Sequence, residues 1–232
     1  MTTVPNWSLG FGTTSTITCT LTFTPTAGKI LLCCVGWDKN ATSFTTPTGF
    51  TALGQAIGAS VSGAMFYKIA DGTETSVAVT AGSAPAGGGN VWVAEIDANT
   101  LVDSTSPTYS DSNTLSISTG TATGTGFAVA MMTVDSYSQI NAAAGTWSNS
   151  FTAHPDGSPH SGIFWDSVGG NLGQAPVVIA YKDVTGSAET TFTSGDTTDQ
   201  MWAAVAIFAA ATTTTTAYAR TAQAYASAPG KT

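Results

Sequence analysis

Charge is what this chain has least of. Only 9% of its 232 residues are charged, against about 25% in a typical soluble domain. Six are basic, namely Lys29, Lys39, Lys68, Lys182, Arg220 and Lys231, and they are spread along the whole length. Neutralising phosphates takes clustered Lys and Arg, so nucleic acid is not an expected partner. The same scarcity, with a net charge of −8, argues against an anionic lipid surface. Long apolar runs are also missing. The longest, residues 30–35 and 201–211, fall short of the ~18–20 residues that cross a bilayer, and membrane insertion is not expected. Residues 1–6 have neither the basic nor the apolar region of a signal peptide, so synthesis in the cytoplasm without that export route is the expectation. Cysteines number three. Cys33 and Cys34 are adjacent and would face opposite sides of a strand, so three buried reduced thiols are expected. The spacings of a zinc site, Cys-x-x-Cys or Cys with His, do not occur. Helical periodicity over eleven or more residues is absent too.

What fills the chain is 42% apolar residues set in Thr, Ser, Ala and Gly. That is not the composition of a disordered segment. Residues 16–24 alternate strictly: Ile17, Cys19, Leu21 and Phe23 on one side, threonines on the other. They predict a half-buried strand. Residues 29–37 are apolar on both faces, which predicts a central strand covered on both sides. Residues 63–70 and 75–80 flank Asp71-Gly72 as a hairpin. A further strand is expected over residues 91–97.

The chain then repeats itself. Residues 64–80 and 178–194 share an apolar run, Tyr-Lys, a Gly turn, Glu-Thr and a Thr-rich alternating stretch. Each is followed by an apolar strand with a Trp, residues 90–96 and 200–208. Residues 126–134 parallel 28–35, and Gly145-Thr146-Trp147 parallels Gly49-Phe50. A repeat on this scale implies two similar strand sets in one β architecture. They could form two small domains or one interleaved sandwich. The link over residues 99–112 has no long flexible tract, which favours a single sandwich. The expected fold is therefore all-β, a jelly-roll-like antiparallel β-sandwich with an internal strand-set repeat. Its expected organisation is an N-terminal extension (1–15), the sandwich (16–210) and a low-complexity C-terminal arm (211–232). The arm could pack on a neighbouring subunit of a homo-oligomer, with Tyr218, Arg220 and Tyr225 as its anchors.

The order of residues 28–75 carries a resemblance. An apolar strand after Gly28 leads to Pro47-x-Gly49-Phe50-Thr51, then to Met65-Phe66-Tyr67-Lys68-Ile69-Ala70, then to Glu74-Thr75. This is similar to a β-sandwich module of tailed-bacteriophage virion proteins of the decoration or minor tail type, in which a Trp stands where Phe50 stands here. The resemblance covers residues 16–97 best. It implies architecture and a virion location, with other capsid or tail proteins as partners, and it brings no catalytic residues.

Chemistry is sparse. His154 and His160 bracket a Pro- and Gly-rich stretch, where metal ligation is one reading and a plain surface loop the other. Asp103, Asp111, Asp196 and Asp199 lack the spacing of a calcium loop. Glu74 and Glu189 hold the same place in the repeat, which argues for a structural role beside Lys68 and Lys182 rather than a glycosidase pair. No nucleophile elbow or nucleotide-binding loop occurs. No cofactor and no enzymatic activity are expected. Trp37, Trp92 and Trp202 belong to apolar strands and are expected in the core. Trp147, His154, His160 and Trp165 remain as a candidate glycan-contact surface, which makes a host-surface glycan the second partner considered.

Overall fold

The computed structural model describes residues 6–110, 114–135, 145–156, 163–164, 175–198 and 200–210. Strands and their connections make up all of it. The first half holds β1 (Trp7–Gly12), β2 (Thr16–Thr20), β3 (Ile30–Asp38), β4 (Phe44–Thr45), β5 (Thr51–Ile57), β6 (Val61–Ile69), β7 (Ser76–Ala81) and β8 (Gly89–Ile96). The second holds β9 (Thr100–Ser104), β10 (Thr108–Ser110), β11 (Thr114–Ser118), β12 (Ala122–Val134), β13 (Thr146–Trp147), β14 (Thr152–Ala153), β15 (Ile163–Phe164), β16 (Val177–Ala188), β17 (Thr191–Thr198) and β18 (Met201–Ala209).

In the first half β1 pairs β8, β2 pairs β7 and β3 pairs β6, all antiparallel. That is a long hairpin rolled over on itself, the wrapping of a jelly roll. It gives one sheet in the order β1-β8-β3-β6-β5 and a second in the order β2-β7-β4. The second half repeats the plan. β9 and β10 both pair β18, β11 pairs β17 and β12 pairs β16. β13 pairs β17 as β4 pairs β7. The internal repeat is thus a repeat of topology.

Every described ladder joins strands of the same half. The two strand sets are therefore not interleaved: the all-β, jelly-roll-like antiparallel sandwich expected from the sequence is present, and each half closes its own roll. Each half has enough strand positions to close its own roll, and pairing within a half needs shorter loops than pairing across halves. Residues 7–12 lie within the expected N-terminal extension, yet as β1 they pair with β8 residue for residue, Leu9 opposite Trp92.

Four sheets stack in four layers, and the packing explains the doubly apolar strands. On β3, Leu31, Cys33, Val35 and Trp37 point into the first jelly roll. Ile30, Leu32 and Cys34 point the other way, into a junction between the two rolls. On β12, Ala128 and Ala130 fill one part of the second roll's interior and Met132 and Val134 another. Val129 and Met131 meet the first unit across the junction. Cys33 and Cys34 do face opposite sides, and all three cysteines are buried free thiols. Burial pushes the Cys19 thiol up to about 12, so it packs as a small hydrophobe.

Candidate functional site

Of the residues singled out in the sequence as candidate contacts, Trp147 and His154 lie among the described residues. Trp147 sits on β13, half-buried, with its ring 5.1 Å from Phe192, packed against the core of the second roll. His154, just after β14, is completely buried. It therefore offers nothing to a sugar, and its place in a glycan-contact surface is corrected. His160, Trp165, Tyr218, Arg220 and Tyr225 lie outside the described residues.

The repeated Tyr-Lys pair has a structural job. Lys68 pairs with Glu74 at 2.6 Å, and Glu74 also accepts the Asp71 and Gly72 N–H groups. Lys182 does not repeat this with Glu189. It donates to the Asn149 carbonyl at 3.0 Å and lies 4.9 Å over the Phe151 ring. What the two lysines share is the neighbouring turn. Phe50 N–H closes on Pro47 O at 3.0 Å, with Gly49 at φ +79°. Phe151 N–H closes on Ser148 O at 3.2 Å, with Asn149 at φ +54° and Ser150 at φ +60°. The counterpart of Gly49-Phe50 is therefore Ser150-Phe151, after β13, and not the Gly145–Trp147 stretch. A cleft of about 380 Å³ beside the Lys68–Glu74 pair is lined by Leu21, Phe23, Thr73 and Glu74 among others.

The chemically unusual groups lie in the junction. His154 stands in an aromatic box built by both units. Trp7 and Trp92 come from the first, Phe164 and Tyr181 from the second, with ring centroids 5.1–6.3 Å away and nearly perpendicular planes. Its Nδ1 accepts the Asp156 N–H at 3.2 Å, which leaves the proton of the neutral ring on Nε2. The Asp156 carboxylate in turn takes the Trp7 indole N–H at 2.9 Å. His154 Nε2 and the indole nitrogens of Trp92 and Trp202 have no hydrogen-bond partner among the described residues. Edge-to-face ring packing is what surrounds them. Burial pushes His154 below the ordinary imidazole range, and Asp156 only partly offsets this.

Beyond this box the junction turns polar. The Gln200 side-chain oxygen accepts three bonds, from Ser60 N (2.6 Å), Val61 N (3.1 Å) and the Tyr109 hydroxyl (2.6 Å). From the other side, the Asn90 amide donates to Ala175 O at 3.0 Å. Both amides cross between units, each to a chain segment at or just before the strand that carries Tyr-Lys. Next to Gln200 two carboxyls meet. Asp38, the last residue of β3, and Asp135, the residue after β12, interact through their side chains. Asp38 is 5% exposed, and one of its oxygens also takes the Gly87 N–H. Asp135 N–H bonds Gln200 O at 3.0 Å.

Asp38 and Asp135 escaped the sequence reading, although a signal existed. Leu32 pairs Tyr67 and Val129 pairs Tyr181, so Leu32 and Val129 hold the same place in the repeat. Six residues further on stand Asp38 and Asp135. Among the described residues, no three His, Cys, Asp or Glu side chains gather as a metal site would need. Comparison with known proteins finds no matching family model, no matching curated protein and no matching solved structure.

Proposed function

We propose that this chain is a non-enzymatic structural protein of a tailed-phage virion, placed on the particle surface as a head decoration or surface accessory protein. The observation that carries the reading is the build of the molecule. Two jelly rolls are joined through a largely apolar junction, and on both outer faces the described residues of the paired strands present Thr, Ser and Ala rather than charges. On one, Thr16 faces Thr80, Thr18 faces Ala78 and Thr20 faces Ser76, all exposed. On the other, Ser116 faces Thr193 and Ser118 faces Thr191. Such faces suit close packing in a crowded protein shell, where stray charges would have to be matched or desolvated. The partners in this reading are other capsid or tail proteins and further copies of the chain. The arm over residues 211–232 supplies one contact.

Mass spectrometry of purified virions from the source phage, counting this chain against the major capsid protein, tests the proposal. Hundreds of copies per particle are expected. A handful would move the protein to the tail or fibre, with host-surface adhesion as its work. Absence from particles would overturn the virion reading.

A further inference from the structure

We propose that the cleft beside the Lys68–Glu74 pair is a saccharide site, built to hold the neutral pyranose at the end of a glycan chain. The cleft exists because two paired strands part. β2 and β7 run side by side to Thr20 and Ser76, and the Leu21 N–H still reaches Thr75 O at 2.8 Å. One residue on, the Thr22 N–H turns away to the Ser8 hydroxyl of β1 at 2.8 Å. On the other side the turn over residues 71–74 closes on itself, with the Thr73 N–H on the Asp71 carboxylate at 2.9 Å. The space left between them is about 380 Å³, lined by Leu21, Phe23, Thr24, Glu74 and Thr75 among others. That is the small end of the ~300–1,000 Å³ range of small-molecule sites.

The repeat shows what the cleft lacks. Glu189-Thr190 of the second roll corresponds to Glu74-Thr75, and the Thr119 N–H reaches Thr190 O at 2.9 Å as the Leu21 N–H reaches Thr75 O. Thr119 and Thr121 therefore stand where Leu21 and Phe23 stand in the first roll. The Thr121 hydroxyl donates to the Glu189 carboxylate at 2.6 Å, so the second roll supplies a hydroxyl of its own. Phe23 has none to give, and Glu74 lines the cleft. On Glu74, Oε1 takes Lys68 Nζ at 2.6 Å and the Asp71 N–H at 2.9 Å, while Oε2 takes the Gly72 N–H at 3.1 Å. A carboxylate oxygen accepts about two donors, so Oε2 has room for one more. A hydroxyl from outside the chain fits that position.

The rest of the lining narrows the ligand. Leu21 and Phe23 are half-buried and offer an apolar wall. Thr24 and Thr75 are exposed and offer hydroxyls that both donate and accept. A pyranose has the matching mixture, C–H faces for apolar contact and a rim of hydroxyls. An anionic sugar or a phosphate fits less well, because Lys68 is already paired with Glu74 and the chain carries a net charge of −8. Strand addition by a peptide fits less well too, because the N–H groups of Leu21, Thr22, Gly72 and Thr73 are already engaged. The site uses neither Trp147 nor His154 and does not rest on the virion reading.

Saturation-transfer difference NMR of the intact chain tests this. The probes are the methyl glycosides of glucose, galactose and mannose, each capped at C1 as the end unit of a glycan chain is. We expect transfer to at least one of them, with an apparent Kd of about 1–10 mM. Phe23→Thr puts the second roll's residue into the first and lets it close on Glu74, so it should remove the signal. Thr75→Val, at an exposed position, should weaken binding about fivefold, the worth of one hydrogen bond. Absence of transfer to all three glycosides overturns the proposal without any variant needing to fold. So does transfer that survives Phe23→Thr, or binding that is unchanged in Thr75→Val.

Discussion

His154 shows how far a residue's role depends on what folds around it. In the sequence it is one of two histidines in a Pro- and Gly-rich stretch, and a loop is the natural expectation. Its neighbours in space include Trp7 and Trp92, from the other unit, and no local pattern announces them. Its value in the fold lies below the ordinary ~6.5 because burial disfavours the charged ring. Its contribution is therefore fully present above about pH 6.5 and is lost as pH falls from there through the folded value. Thermal unfolding between pH 8 and pH 5 should show the parent chain losing stability faster than His154→Phe on the acid side. Parallel curves would contradict this. Asp38 and Asp135 were legible in principle, through the repeat, but only once strand register fixed which residues correspond. Trp147 was legible as a partly exposed aromatic, and its edge-to-face contact with Phe192 was not.

At the scale of the element, alternation and turn chemistry carried most of the reading. β2 and β7 were plain in Thr16–Thr20 and Ser76–Ala81, where inward residues alternate with Thr, Ser and Ala. β3 was legible as a strand covered on both faces. β1 was not, though Trp7, Leu9 and Phe11 alternate with Ser8, Gly10 and Gly12. The expected N-terminal extension covered these residues, whereas Gly10 serves close approach. A Cβ on it would lie 2.7 Å from the Cys19 backbone of β2. Gly36 on β3 does the same at the junction. A Cβ there would meet Ala175 O at 2.3 Å and Thr133 Oγ1 at 2.7 Å. Gly36→Ala should therefore destabilise the protein by about 3 kcal/mol, an overpacking cost with backbone in the way. Gly28→Ala, at φ +87° with open space around it, should cost only the ~1–2 kcal/mol of a left-handed L-residue. Urea unfolding of both variants compares them directly, and equal costs would show that the junction tolerates a wider spacing.

For the whole molecule, the repeat foretold two similar strand sets but not their arrangement. Composition and periodicity describe each strand's two faces without saying which strand covers them. Apolar residues on the junction side of β3, β8, β12 and β18 fit an interleaved sandwich as well as two rolls back to back. The structure resolves this through ladders that stay within each half. The outcome is a pair of units that share a core neither could bury alone. Leu32, Met65 and Trp92 of the first unit pack against Met131, Ile179 and Phe208 of the second. A separated half would expose that whole apolar sheet face to water. The two rolls should therefore unfold together, and differential scanning calorimetry of the full chain asks this most directly. A single transition with equal calorimetric and van't Hoff enthalpies is the expected result. Two resolved transitions, one for each jelly roll, would contradict the account of one block locked at its junction.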